Sequence, residues 1–434
     1  MDAPGNISWA ITATALVLLM TPGVAFFYGG LVKAKSVVSM MMMSFGSIGL
    51  VAVLWILFGF SMSAVDSPTA FAGNPFADIG LSSLASGEGS NVALLSVAYG
   101  ATFAIITVAL ISGAIADRAK FGSWLIFAGV FATVGYFPVA AWVWGGGWIM
   151  NLGTTLFGED SGIGVIDYAG GTVVHINAGV AALVLALLVG KRLGFGREPM
   201  KPHNLTLTMI GAGLLWFGWF GFNVGSIVNL DAYTTETGLV WLNTTLATCA
   251  AMMGWLLVEK MRDGKCTSLG AASGVVAGLV AITPACGNLV PWSAMVLGAV
   301  AGGLCALAVG LKYRFGYDDS LDVVGVHLVG GLVGTLGVGF LAADEGGLLT
   351  GGGMEPVVVQ LAVAVFAMVW SAVATLAVAV PIKYSLGLRL QEEDEVEGID
   401  FIEHGESAYD LGTGGGARRA SVLATGTTAT EVSA

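Results

Sequence analysis

Charged residues are scarce in this chain. Asp, Glu, Lys and Arg together make up 11% of its 434 residues, whereas hydrophobic residues make up 56%, and the mean hydropathy is +0.84. Soluble globular domains devote about 25% of their residues to charged side chains, so this composition excludes an ordinary soluble protein. It indicates a polytopic membrane protein.

Cysteine is also rare, and its spacing excludes a cysteine-based metal site. The four cysteines form no CxxC pair and no metal-ligand pattern; they are Cys249, Cys266, Cys286 and Cys305. We interpret them as small packing residues, and we predict neither a bound metal nor a cofactor.

Lysine and arginine are absent from residues 1–8, which precede the first apolar run. A secretory signal peptide begins with a basic region. We therefore expect the first apolar run to remain in the protein as a membrane span.

Long apolar stretches are abundant, and about eleven of them can cross roughly 30 Å of hydrocarbon. The stretch near residues 268–283 is the shortest and is rich in glycine and proline. The predicted fold is therefore an all-helical membrane protein of about eleven spans. The stretches are 9–31, 38–65, 92–115, 121–144, 169–190, 205–228, 239–258, 268–283, 289–311, 323–342 and 356–384.

Basic residues are missing from one of the two sets of alternating loops. All 17 of them lie in the other set or in the tail. The positive-inside rule then predicts an external N-terminus and a cytoplasmic C-terminus, which requires an odd number of spans. The loops without basic residues carry acidic residues, so the outer face should attract cations weakly, unless these acids merely solvate the loops.

Histidine is rare too, yet two of the four histidines lie inside apolar spans. His175 follows Asp167 by about two helical turns, and His327 follows Asp319 and Asp322. The two spans run in opposite directions, so each histidine reaches the midplane from its own surface. This pattern predicts an inverted five-plus-five repeat with a site at the repeat interface.

Ionisable side chains inside a membrane are costly and usually functional. Two imidazoles in contact could pass a proton near neutral pH. Two readings compete with this relay: a pair of buried neutral imidazoles that serves packing, and bis-histidine haem ligation in a membrane redox protein. No CxxCH sequence supports the haem.

Aromatic residues gather near the predicted outer ends of spans. Trp144 ends the fourth span, Phe103 lies in the third, and Phe222 and Ser226 lie near the end of the sixth. Aromatic faces and a hydroxyl acceptor suit a small cation, through cation–π attraction and an N–H hydrogen bond. An interfacial aromatic belt is the alternative.

The composition changes after residue 384. Residues 391–400 form an acidic, helix-like run, and the Gly, Ser, Thr and Ala content beyond residue 411 is typical of disorder. We predict a transmembrane domain over residues 1–386 and a cytoplasmic regulatory tail over residues 387–434, disordered after about residue 411.

Four motifs together resemble the ammonium transporter (Amt, methylammonium permease and Rhesus) family, and its Amt branch in particular. The resemblance covers residues 9–410. The motifs are DYAGGTVVHIN at 167–177, WFGFNVGS at 219–226, FFYGGLVK at 26–33 and GVH at 325–327.

This resemblance implies a homotrimer with one pore in each subunit. It implies an outer recruitment site formed by Trp144, Phe103, Ser226 and Asp167, and a gate in which Phe103 stacks over Phe222. It implies a proton relay through a twin-histidine pair, His175 and His327, with Asp322 and Tyr28 in support.

The tail resembles one that docks a trimeric PII-type nitrogen signal protein. Two features depart from the family pattern: Gly100 stands where many members have glutamine, and the loop over residues 144–167 is longer, so Trp148 is the alternative to Trp144.

The function predicted from the sequence is ammonium uptake across the cell membrane, by a multi-pass transporter that is not an enzyme and binds no nucleic acid. Ammonium, with methylammonium as a further candidate substrate, would lose its proton at the outer site and cross as ammonia. The alternatives are a passive ammonia channel and an ammonium sensor.

Overall fold

The computed structural model describes residues 4–87, 90–227, 236–344 and 346–409. Helices dominate these ranges, which contain no extended strand beyond one isolated bridge, Ala119 with Arg389. Helices are expected in lipid because each backbone amide finds its partner within its own segment. The prediction of an all-helical membrane protein is confirmed.

Within the described ranges, ten helices are long and apolar enough to cross a membrane, and a shorter apolar helix, α8, lies between the seventh and the ninth. The short helix falls on the stretch that the sequence marked as the shortest. The bounds are α1 Gly5–Leu31, α2 Val37–Met62, α3 Val92–Ile115, α4 Phe121–Val143, α5 Gly171–Val189, α6 Leu205–Val224, α7 Thr237–Asp263, α8 Ser268–Ile282, α9 Pro291–Phe315, α10 Val324–Leu341 and α11 Glu355–Ser385.

Helices α1 and α6 pack along most of their length, and glycines on α6 make this possible. A Cβ atom on Gly211 would lie 2.3 Å from the backbone nitrogen of Phe27, and one on Gly221 would lie 2.7 Å from the carbonyl oxygen of Ala13. Small residues let two helix backbones approach closely in lipid. The glycines therefore fix the position of α6, which carries Phe222.

Helices α5 and α10 both begin with π-helical turns, and each turn contains one of the buried histidines. His175 lies in Gly171–Ile176, and His327 lies in Val324–Leu328. Short π-helical turns inside α-helices are frequent at functional sites. The equivalent placement in the two helices is the pattern that the predicted inverted repeat requires.

A buried ion cluster joins the loops after α3, α5 and α9 at one end of the bundle. Arg192 forms ion pairs with Asp318 (2.8 Å) and Asp117 (3.4 Å), and the fully buried Arg118 donates to the carbonyl oxygen of Asp318. Burial lowers the pKa of Arg118 to about 10. Burial alone would raise the pKa of Asp318, but hydrogen bonds and charge from Arg192 outweigh it and hold that pKa low.

The tail folds back against the same end of the bundle through two short helices, α12 Glu392–Glu397 and α13 Ile399–His404. The carboxylate of Asp400 accepts hydrogen bonds from the backbone nitrogens of Val38 and Ser39, and Glu403 accepts one from Phe121. Two carboxylates of the tail therefore cap the first turns of α2 and α4, where the helix dipole favours negative charge.

The tail is tied down at its far end as well. His203, in the loop before α6, contacts the carbonyl oxygen of Val32 (2.9 Å) and the hydroxyl of Tyr409 (3.0 Å). The division into two domains at residue 386 stays a prediction, and the segment predicted to be disordered lies outside the described residues.

Candidate functional site: a pathway through the helix bundle

An aromatic cluster lies at one end of the pathway. The ring of Trp144 meets the ring of Phe103 edge to face at 6.0 Å, and its indole nitrogen donates to the carbonyl oxygen of Asp167 at 2.8 Å. The hydroxyl of Ser226 donates to the carbonyl oxygen of Phe222 at 2.8 Å and lies 3.1 Å from the hydroxyl of Tyr99. The structure thus brings Trp144, Phe103 and Ser226 into one cluster.

Two phenylalanines close the pathway beneath this cluster. The rings of Phe103 and Phe222 stack at 4.1 Å with 21° between their planes, and both are buried. A stacked pair of this kind leaves no room for a hydrated ion. The role of these two rings as a gate stays a prediction.

The two histidines meet directly below the phenylalanines. Nδ1 of His175 lies 3.3 Å from Nδ1 of His327, and 23° separates the planes of the two rings. One of these nitrogens has to carry the hydrogen and the other has to accept it. Nε2 of His175 is buried and has no hydrogen-bond partner among the described residues.

A cavity of about 20 Å³ adjoins both histidines. This volume is enough for about one water-sized molecule. Its wall is mainly hydrophobic, with Val24, Phe27, Ile106 and Leu215 among the lining residues. The space beside the histidines therefore suits a small uncharged molecule and opposes a bare ion.

A larger cavity, about 490 Å³, opens at the opposite end and also reaches His327. Lys312 and Asp322 form an ion pair in its wall at 2.8 Å. Tyr28 lines both cavities, and its hydroxyl donates to the carbonyl oxygen of Leu110 at 3.0 Å. Tyr28 and Asp322 thus both line the larger cavity, and their supporting role stays a prediction.

Asp167 is placed differently from a freely available recruiting carboxylate. Its two oxygens accept hydrogen bonds from four successive backbone nitrogens, those of residues 170–173, and from the hydroxyl of Thr172. The side chain is buried. Its oxygens are thus committed to the first turn of α5, and the part of Asp167 in cation recruitment stays a prediction.

The choice between the two tryptophans is also clear. Trp148 packs against Phe366 at 4.6 Å and Trp142 at 6.4 Å, whereas Trp144 contacts Phe103. The indole that belongs to the aromatic cluster is Trp144.

Sequence reasoning did not identify three features of the site. Asp319 accepts hydrogen bonds from the backbone nitrogens of Val323 and Val324, and so plays for α10 the part that Asp167 plays for α5. Tyr99 joins the aromatic cluster, and Trp219 lies beside His175. The presence of an aspartate before each histidine was a signal for Asp319, whereas the aromatic neighbours needed the helix packing.

Gly100, which departs from the family pattern, lies against the ring of Trp55. A Cβ atom on Gly100 would lie 2.7 Å from the ring of Trp55. The indole nitrogen of Trp55 donates to the carbonyl oxygen of Val97 at 2.9 Å, which holds that ring in place. In this chain Trp55 fills the space that a larger side chain at position 100 would need.

A helix bundle that encloses a narrow apolar pathway, with two stacked phenylalanine rings above a histidine pair, is typical of a membrane transport protein for a very small solute. Residues 8–409 match the model of the Ammonium Transporter Family. The chain therefore belongs to the ammonium transporter family and is a multi-pass protein of the cell membrane. Membership supports ammonium transport, with ammonium or ammonia as the substrate.

Two ammonium transporters align with nearly the whole chain. An ammonium transporter of Mycobacterium tuberculosis (strain ATCC 25618 / H37Rv) is 50% identical and covers 95% of this chain and 91% of its own length. An ammonium transporter of Bacillus subtilis (strain 168) is 41% identical, over 93% of this chain and 98% of its own length.

Solved structures show the same fold. A Sensor Amt Protein superposes with a TM-score of 0.83 at 27% identity, over 92% of this chain and 98% of the other. Mep2 from Candida albicans superposes with a TM-score of 0.79 at 31% identity, over 90% of this chain and 87% of the other.

Proposed function

We propose that this protein separates each ammonium ion into ammonia and a proton, conducts the ammonia through the apolar pathway, and passes the proton along His175 and His327. The observation that carries the proposal is the 3.3 Å contact between the two Nδ1 atoms beside a small apolar cavity. The remaining steps follow from what lies on either side of this contact.

Selectivity requires chemistry, because ammonium and potassium ions are nearly equal in size. The cluster of Trp144, Phe103 and Ser226 offers aromatic faces and a hydroxyl oxygen, and ammonium can use both because it carries N–H donors. Potassium can use the aromatic faces but has no proton to give up. Recruitment therefore concentrates ammonium, and loss of its proton distinguishes it from potassium.

The gate and the cavity favour the neutral form. A charge at the membrane midplane costs about 3 kcal/mol even on a favourable insertion scale. Past His175, ammonia avoids this cost, whereas potassium or an ammonium ion that had kept its proton would bear it against the hydrophobic cavity wall. The proton needs a separate carrier, and the imidazole pair is placed to be one.

Asp167 has an organising role in this proposal. By accepting hydrogen bonds from residues 170–173 it holds the π-helical turn that carries His175. The indole nitrogen of Trp144 donates to the backbone carbonyl oxygen of Asp167, so the carboxylate of Asp167 lies near the aromatic cluster. Its negative charge therefore also favours a cation there.

The relay is tested by ammonium-evoked current across proteoliposomes on a solid-supported membrane. Replacing His175 by Leu, or His327 by Leu, should abolish the current while the protein stays folded in detergent. Replacing either histidine by Glu should retain conduction with weaker selectivity against potassium, because a fixed carboxylate can hold an ion that has kept its proton.

Each competing reading predicts another result. A pair that serves packing gives unstable Leu variants whose current per folded protein is unchanged. A haem protein gives visible absorbance that both Leu variants lose. Wild-type current from a folded double Leu variant would refute the relay and leave passive ammonia conduction through the same pathway.

The proposal also covers the partners of this protein and its role in signalling. Family resemblance supports a homotrimer and a PII-type signal protein at the cytoplasmic tail, and the docked helices α12 and α13 offer that protein a defined surface. A sensor role is the second candidate, because one similar solved structure is a Sensor Amt Protein. A protein that gives an ammonium current in proteoliposomes but does not support growth of cells on low ammonium would favour the sensor role.

A further inference from the structure

We propose that Trp219 stabilises the protonated form of His175 through the face of its indole ring, and so lowers the barrier to proton entry into the histidine pair. The inference rests on the proposed relay and adds a residue to it. It assigns to an aromatic ring the part that a carboxylate plays beside many other transiently charged histidines.

The two rings lie nearly parallel to each other. The centroids of the His175 and Trp219 rings lie 5.5 Å apart, with 17° between their planes. A cation within about 6 Å of an aromatic centroid and over its face is attracted by the ring quadrupole, and tryptophan is the strongest of the aromatic residues in this respect. The contact is buried on both sides, which strengthens it because water does not screen it.

The indole is anchored so that its face, and not its N–H group, is presented to the histidine. Nε1 of Trp219 donates to the hydroxyl of Thr283 at 2.8 Å. That hydroxyl in turn donates to the carbonyl oxygen of Leu279 at 2.7 Å. The positive edge of the indole is therefore committed to α8.

An imidazolium at His175 has few other sources of stabilisation. None of the described residues that line the small cavity carries a carboxylate. Phe222 is the next aromatic ring, with its centroid at 6.2 Å and 34° between the planes. His327 is a neutral acceptor for the hydrogen bond but brings no negative charge, so the indole face is the main attraction for the new charge.

The proton balance of the step is simple. One N–H bond of ammonium breaks, its electron pair stays on nitrogen, and ammonia is released into the cavity. A new N–H bond forms at Nε2 of His175, which has no partner among the described residues. The imidazolium formed in this way passes its Nδ1 hydrogen to Nδ1 of His327, 3.3 Å away.

The test replaces Trp219 by tryptophans that carry one to four fluorine atoms, introduced at this codon alone. Fluorine drains the negative face of the indole with little change in volume, and it strengthens N–H donation to Thr283. Ammonium current should therefore fall stepwise with fluorine number, by roughly fivefold over the series if the contact is worth about 1 kcal/mol. Neither packing nor a weakened anchor predicts this gradient.

Trp124 provides the matched control. It is fully buried and donates to the carbonyl oxygen of Met43, away from both histidines, so the same fluorine series there should leave the current unchanged. A flat series at Trp219 overturns the inference, and so does an equal slope at Trp124. Loss of current in the His175→Leu, His327→Leu variant beside a flat Trp219 series would leave the relay standing and remove only the role of the indole.

Discussion

Single carboxylates accept hydrogen bonds from the first backbone nitrogens of the two histidine-bearing helices. Asp167→Ala should destabilise the protein by at least about 2 kcal/mol, because buried backbone N–H groups lose their acceptor, and the ammonium current should disappear with the displaced His175. Asp167→Asn should lose less, since its amide oxygen can still accept. Thermal unfolding followed by tryptophan fluorescence, together with the current, measures both effects.

The exposed Asp66 supplies the matched control, and Asp66→Ala should change neither stability nor current by much. An unfolding temperature for Asp167→Ala equal to that of the wild type would contradict the capping role.

The second carboxylate, Asp319, should make stability depend on pH. Burial raises the pKa of Asp319 to about 6, against the opposing attraction of Lys312. A carboxyl group whose pKa is higher in the folded state contributes stability that is complete below its unfolded pKa of about 3.9 and is lost as the pH rises through about 6. The contribution is at most about 3 kcal/mol.

Asp319→Asn cannot titrate, so it should flatten the dependence of the unfolding temperature on pH between about 4 and 6.5. Identical pH profiles for the variant and the wild type would refute this assignment. Asp66→Ala, which removes one exposed carboxylate, again serves as the control.

At the scale of helices, the contact between α1 and α6 depends on glycine. A Cβ atom on Gly221 would lie 2.5 Å from Cβ of Leu16 and 2.7 Å from the carbonyl oxygen of Ala13, whereas one on Gly213 would meet nothing within 4 Å. Gly221→Ala should push the helices apart, displace Phe222 and lower both the unfolding temperature and the ammonium current.

Gly213→Ala lies on the same helix and is the matched control. It should be neutral, or more stable by up to about 1 kcal/mol, because alanine favours a helix. Equal effects of the two substitutions would show that helix propensity, and not close approach, decides the outcome.

Much of this element-level organisation could be predicted from the sequence, for identifiable reasons. The length of the apolar stretches predicted the spans, and the shortest predicted stretch corresponds to the short helix α8. The placement of a histidine after an aspartate in two spans gave the central pair. The π-helical turns could not be predicted, because apolar length and the placement of a histidine do not show which backbone hydrogen bonds form within a span.

The neighbours of the site were less predictable than its members. Trp219 appears in the sequence as one of many aromatic residues in α6, and only its packing against α5 and α8 shows which side chain it serves. The same holds for Trp55, which occupies the space next to Gly100 although 45 positions separate them in the chain.

At the scale of the whole molecule, the orientation in the membrane can be tested with one native and one introduced cysteine. Ser82 and Cys266 are both exposed, and the charge pattern places them on opposite sides of the membrane. In intact cells an impermeant thiol reagent should label Ser82→Cys and spare Cys266. After permeabilisation the reagent should label both. Labelling of Cys266 alone in intact cells would show that the orientation is the reverse of the predicted one.

The C-terminal tail provides a second test at the scale of the whole molecule. Deleting residues from Gln391 onward should abolish binding of a PII-type protein and leave the spans folded, while the first turns of α2 and α4 lose the caps that Asp400 and Glu403 supply. Co-purification of the partner with full-length and truncated protein measures this. Undiminished recovery with the truncated protein would contradict it.

The contact between two like nitrogens has a kinetic consequence. In the proposed relay a single hydrogen lies between Nδ1 of His175 and Nδ1 of His327, so each proton that passed inward would leave both rings in the opposite tautomer. The pair cannot pass a second proton in the same direction until both tautomers have reverted. Transport through such a pair has a reset step in every cycle, and a rapid jump in ammonium should release one charge per subunit quickly and the following charges at the slower rate of that reset.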